Sequence, residues 1–144
     1  MKYIFFLFMA AILLCECGKD NIVPNVRFDV TINLSDPKYA NKDVLNFVDV
    51  EDFFSKIKIR VGYSGVIVYK SDTFRAFETY CPNDQDNSCY VSIKQNETTK
   101  AVCNCCKTEY LTLTGTVVSG KSKYGLKEYK TEYDIARNLL KIWN

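Results

Sequence analysis

The chain has 144 residues, room for one domain of ordinary size, and with 47% apolar and 25% charged residues it can bury a core. A formal charge of only +2 lacks the basic excess of a dedicated nucleic-acid binder, so no nucleic-acid partner is expected. Seven cysteines stand against no histidine. That excludes Ser–His and Cys–His nucleophile pairs, imidazole acid–base catalysis and imidazole metal ligands.

In chain order, Lys2 precedes an apolar run from Tyr3 to Leu14, followed by Cys15, Glu16 and Cys17. One basic residue and about a dozen apolar ones fit a secretory signal peptide. The run is shorter than the roughly 20 residues that span a bilayer. A cysteine directly after the run resembles a bacterial lipoprotein signal, in which that cysteine becomes the lipidated N-terminus. An ordinary cleaved signal and a retained anchor are the other readings of this segment. Cys15 is a better lipidation candidate than Cys17, because Glu16 would put an acidic residue at the cleavage junction. Residues 1–14 are then the signal, 15–25 a lipidated tether and 26–144 the folded domain. The resemblance implies a protein anchored to a membrane of the cell envelope, on the periplasmic or extracellular face, with an unidentified protein partner. Disulfides persist there.

Val26, Phe28, Val30, Ile32 and Leu34 alternate with polar residues, which predicts a half-buried strand ended by Asp36-Pro37. Lys38 to Phe54 reads as a short helix or a loop before another strand. Ile57–Val61 alternates again, and Gly62 to Gly65 turns the chain. Val66–Lys70 and Thr73–Glu78 form an expected hairpin around Ser71-Asp72. Further short strands are expected at Cys89–Ile93, Lys100–Cys103, Tyr110–Leu113, Thr116–Val118, Leu126–Tyr133 and Leu139–Trp143. Turn residues at Asn83-Asp84, Gln95-Asn96 and Gly115 separate them. Many short strands at this spacing predict an all-β antiparallel barrel or sandwich. Phe28, Phe47, Phe53, Phe74, Phe77, Tyr129 and Trp143 are assigned to packing. Lys121, Lys123, Lys127 and Lys130 are assigned to a solvated face. Asn96-Glu97-Thr98 matches a glycosylation acceptor and is read as a loop tip.

The remaining five cysteines fall in two clusters: Cys81 and Cys89, then Cys103, Cys105 and Cys106. Two cysteine-bearing loops between hairpin strands bring together either metal ligands or disulfide partners, and spacing does not separate the two. No carboxylates are paired for acid–base work. Lys107 is the only cation next to a cysteine, so no catalytic activity is expected.

From Phe74 through Cys81-Pro82, and again through Leu113–Gly120, Leu126–Tyr129 and Leu139–Ile142, the chain resembles the Rieske family of iron–sulfur proteins. The similarity covers roughly residues 57–143. Rieske centres hold a [2Fe–2S] cluster through Cys-x-His in one loop and Cys-x-x-His in the other. Cys81 and Cys103 match the two cysteine positions, Asn83 stands at the first histidine position and Cys106 at the second. The branch of the family found in cytochrome bc complexes ties its loops with a disulfide. That resemblance implies a Cys89–Cys105 bridge and leaves Cys81, Cys103 and Cys106 as three thiols at the cluster position. Asp84 is a better fourth ligand than the amide of Asn83, a hard oxygen donor.

Three readings follow. The leading one is a cofactor-free, disulfide-stabilised binding or envelope module of Rieske-like fold. The alternatives are an electron-transfer protein with a cysteine-based [2Fe–2S] site and a structural zinc site.

Overall fold

The expected strands form, and all of them pair antiparallel. A computed structural model describes residues 22–94 and 97–144. The signal and anchor segment with Cys15 and Cys17, the start of the tether and the Gln95-Asn96 turn lie outside the described residues. The strands are β1 (Asp29–Asn33), β2 (Val44–Phe47), β3 (Asp49–Glu51), β4 (Lys58–Arg60), β5 (Val66–Lys70) and β6 (Phe74–Glu78), followed by β7 (Val91–Lys94), β8 (Glu97–Cys103), β9 (Glu109–Leu111), β10 (Val117–Ser119), β11 (Glu128–Asp134) and β12 (Leu139–Trp143). The segment left between helix and loop holds a single 3-10 turn, Pro37–Tyr39, then β2 and β3.

A six-stranded sheet runs β1-β12-β11-β6-β5-β2, a four-stranded sheet β10-β9-β8-β7, and β3 and β4 form a hairpin of their own. The first sheet curls around one core. Val30, Ile32, Leu45, Phe47, Val66, Val68, Ala76, Tyr129, Leu140 and Ile142 face inward there, with Val50 and Val61 of the hairpin region closing it. Ile67, between Val66 and Val68, points to the opposite face and joins a second core with Val91, Ala101, Tyr110, Cys81, Cys89 and Cys103. That is why Val66-Ile67-Val68 is apolar without a break: β5 is covered on both faces. Cys81, Cys89 and Cys103 therefore sit in this second core, with Cys106 half-buried at its edge.

Two buried carboxyl groups hold connections that apolar packing leaves open. Glu78, fully buried at the end of β6, accepts from the backbone N–H of Tyr63 (2.6 Å), Ser64 (2.9 Å) and Tyr80 (2.9 Å) and from the Tyr129 hydroxyl. It joins the turn after β4, strand β11 and the entry to the first cysteine loop. Thr31, expected to face solvent in an alternating strand, is buried because the β3–β4 turn covers it. Asp52 accepts from Thr31 N–H (2.8 Å), Phe54 N–H (3.1 Å) and Ser55 N–H (2.8 Å). Burial works against charge on Asp52, but these N–H groups outweigh it and hold the carboxyl below its ordinary 3.8. Phe28, Phe47, Phe74, Phe77 and Tyr129 are buried as expected, while Phe53 and Trp143 are half-buried.

Two outcomes are expected. Glu78→Ala orphans four donors and lowers unfolding free energy in urea by about 3 kcal/mol or more, at 1–3 kcal/mol for an unsatisfied buried group. Glu78→Gln, which keeps an acceptor, loses less; equal losses would refute the hydrogen-bonding role. Because the folded-state pKa of Asp52 is depressed, its contribution is present above the unfolded value and is lost as pH falls through the folded value. Asp52→Asn therefore flattens the acid side of the stability–pH curve below about pH 4.

Candidate metal centre

The two cysteine loops are built as facing turns at one end of the second core. The first leaves β6 through Thr79 and Tyr80 and returns into β7. Its base is closed by the Tyr80–Tyr90 bridge and by Val91 N–H donating to Thr79 carbonyl (2.7 Å). Inside, Gln85 N–H donates to Cys81 carbonyl (3.3 Å), and Gln85 takes φ 48° to reverse the chain. The second loop links β8 to β9. Cys103 N–H donates to Thr108 carbonyl (3.0 Å), and Lys107, at φ 59°, makes the left-handed step that lets the turn close.

Three connections join the loops. Cys89 and Cys105 form a disulfide with a Cα–Cα distance of 5.5 Å, the pairing that the family resemblance implied. Asn104 clamps the same seam. Its carbonyl oxygen accepts from Tyr90 N–H (2.8 Å), its amide donates to Ser88 carbonyl (2.9 Å) and its N–H donates to Tyr90 carbonyl (3.0 Å). Asp84 makes the third connection. Its Oδ2 accepts from Cys106 N–H (3.2 Å) and lies 3.5 Å from Cys81 Sγ and 3.4 Å from Cys103 Sγ.

Cys81, Asp84, Cys103 and Cys106 are thereby brought to one point: their donor atoms all lie within 4.8 Å of one another. Cys81 Sγ and Cys106 Sγ are 3.7 Å apart. Cys89 and Cys105 are spent in the bridge and offer no thiolate. Cys81 and Cys103 are buried, and Cys106 is half-buried. The Asn83 amide donates to Asp84 Oδ1 (3.0 Å) and so orients the carboxyl.

Burial pushes the Cys81 thiol up and the Cys103 thiol up to about 12, since charge on sulfur is costly away from water. Partial burial also works against charge on Asp84. Hydrogen bonds from Cys106, Asn83, Cys103 and Cys81 outweigh it and keep that carboxyl below its ordinary value. The site thus joins one ready anion to buried sulfurs that need a positive charge before they ionise.

Two residues of the site escape sequence reasoning. Thr108 is fully buried, and its Oγ1 lies 3.1 Å from Cys106 Sγ while accepting from Lys121 N–H (3.2 Å) and Ser122 N–H (3.3 Å). Tyr110, also fully buried, places its hydroxyl 4.0 Å from Cys81 Sγ. The only advance signal was position, Thr108 two residues beyond Cys106 and Tyr110 at the start of the next strand. Gly120 has φ 111° and lies against Thr108; a Cβ there would meet the Thr108 Cα at 2.5 Å, so glycine is required for the 119–122 turn to reach the loop.

The disulfide closes a separation of 16 residues, for which chain entropy alone is worth about 3 kcal/mol. Cys105→Ser is expected to lower stability by about 2–4 kcal/mol under oxidising conditions and to abolish the stability difference between oxidised and reduced protein. Unchanged stability and electrophoretic mobility would refute the bridge. No family model and no curated protein matches the chain, so its own donor atoms carry the case for what the site does.

Proposed function

We propose that this is an exported, lipid-anchored envelope protein of Rieske-like fold, a binding module whose two loops are pinned by one zinc ion in place of the family's cluster. The observation that carries the reading is the spacing of the four donors. With Zn–S near 2.3 Å and Zn–O near 2.0–2.2 Å, a tetrahedral ion separates two sulfurs by about 3.8 Å and a sulfur from an oxygen by about 3.5 Å. The corresponding distances are 3.7 Å for Cys81–Cys106 and 3.5 and 3.4 Å from Asp84 to Cys81 and Cys103. Three thiolates with a carboxylate are a closed, sulfur-rich set that suits zinc.

A [2Fe–2S] cluster fits this donor set poorly. Such a cluster divides its ligands between two irons with sulfides between them, whereas these four donors lie within 4.8 Å on every side. Neither histidine position holds an imidazole, and Asn83 is engaged with Asp84. The space matches one ion. A closed ligand set leaves no open position for substrate, so the metal acts as a structural pin rather than a catalyst. The Cys89–Cys105 bridge is compatible with the oxidising compartment that an exported chain would meet.

Full-length protein exported natively and purified without oxygen is expected to contain one zinc per chain. Asp84→Ala is expected to weaken zinc binding by more than about tenfold, the lower bound for changes even one shell further out. Iron with acid-labile sulfide, or no metal at all, would overturn the reading. Zinc must displace protons from Cys81 and Cys103, whose thiols are raised, so affinity falls as pH falls. Each proton displaced contributes roughly a tenfold loss per pH unit, and a pH-independent affinity between pH 6 and 8 would contradict the thiolate ligand set.

A further inference from the structure

The three free sulfurs are not equivalent. Cys81 and Cys103 are fully buried, whereas Cys106 is half-buried and is the one through which solvent reaches the group. Behind it, 3.7 Å away, lies Cys81 Sγ, close enough for an S–S bond to form by a side-chain rotation. On its other flank stands Thr108. That hydroxyl oxygen accepts from the backbone N–H groups of Lys121 and Ser122 and from Cys106 Sγ, 3.1 Å away, which holds the Cys106 side chain in place. A half-buried sulfur that solvent reaches, with a second thiol directly behind it, is the arrangement of a peroxide-reactive cysteine and its resolving partner.

We propose that Cys106 and Cys81 form an oxidisable pair that reacts with hydroperoxides and releases the metal when it closes to a disulfide. The consequence for the metal rests on the zinc reading; the pair itself does not. In the first step, Cys106 thiolate attacks the terminal oxygen of the hydroperoxide. An S–O bond forms, the O–O bond breaks, and the departing alkoxide or hydroxide takes a proton to leave as alcohol or water. Cys106 is then a sulfenic acid. In the second step, Cys81 thiolate attacks Cys106 Sγ; the S–S bond forms, the S–O bond breaks, and hydroxide leaves with a proton as water. The two thiolates have lost two electrons and the peroxide has gained them. Only Cys103 and Asp84 would then be left to hold a zinc ion, too few ligands to retain it.

The same chemistry connects two forms of the site: a reduced, zinc-bound form and an oxidised, metal-free form with a second disulfide and Cys103 alone as a thiol.

The test uses the full chain, reduced at the site and loaded with zinc, then treated with hydrogen peroxide. The expected result is zinc release together with loss of two thiols, and proteolytic fragments joined between Cys81 and Cys106. In Cys81→Ser, the sulfenic acid on Cys106 is expected to persist and to be trapped by dimedone. Because that variant also loses a metal ligand, iodoacetamide labelling of the reduced, metal-free wild-type chain provides an independent readout, with Cys106 alkylated first. Zinc retained with all three thiols reduced would overturn the inference and leave the zinc reading intact. Linkage of Cys103, or exchange of Cys106 into the Cys89–Cys105 bridge, would also overturn it. A chain that binds no zinc but forms the Cys81–Cys106 bond would overturn the zinc reading and sustain the pair.

Discussion

The buried carboxyl of Glu78 is the joint on which the two halves of this protein turn. It sits at the last residue of β6, where the curled sheet ends and the first cysteine loop begins. Its two oxygens take up donors from the turn after β4, from β11 and from Tyr80 at the entry to that loop. Apolar packing has no direction and would tolerate small rotations of the loop over the sheet. A carboxyl group with four donors does not, because each misaligned donor would be left unsatisfied away from water. The position of Cys81, three residues later, is thus inherited from the large core.

The second loop needs its own constraints, since the curled sheet meets it only through apolar packing, chiefly that of Ile67. The pairing of β7 with β8 supplies the first, setting Val91 opposite Cys103. The disulfide and the Asn104 clamp then fix the seam between the loops. Asp84 works at the centre of what remains, one oxygen facing sulfur and the other held by Asn83. The carboxyl orients the thiols and is one of the four donor groups gathered at this point.

Two devices close the cysteine loops against each other. The covalent bridge between Cys89 and Cys105 does part of that work. A compact sulfur–carboxylate set does the rest, with the Asn83 amide supporting the Asp84 carboxyl and Cys106 bringing its thiol among the other sulfurs.

The alternation of apolar and polar residues was enough to place nearly every strand, because period-two patterning directly reports which face of a strand is covered. Strand ends moved by one to three residues, as at β1, which begins at Asp29 rather than Val26. Cysteine spacing marked the two loops, and likeness to a known family supplied the bridge between Cys89 and Cys105. Burial of Thr31, Glu78 and Thr108 was not legible, since a polar residue in a strand or turn reads as solvent-facing unless its partners are known. Apart from Tyr80 and Cys106, two positions off, those partners come from residues 13 to 51 positions away. The sequence by its periodicity specified an all-β chain with two cysteine loops. Only the folded chain brought Asp84 among the sulfurs and left Cys106 the most accessible of the three free thiols there, because both depend on how two sheets pack, a distance relation that local pattern does not encode.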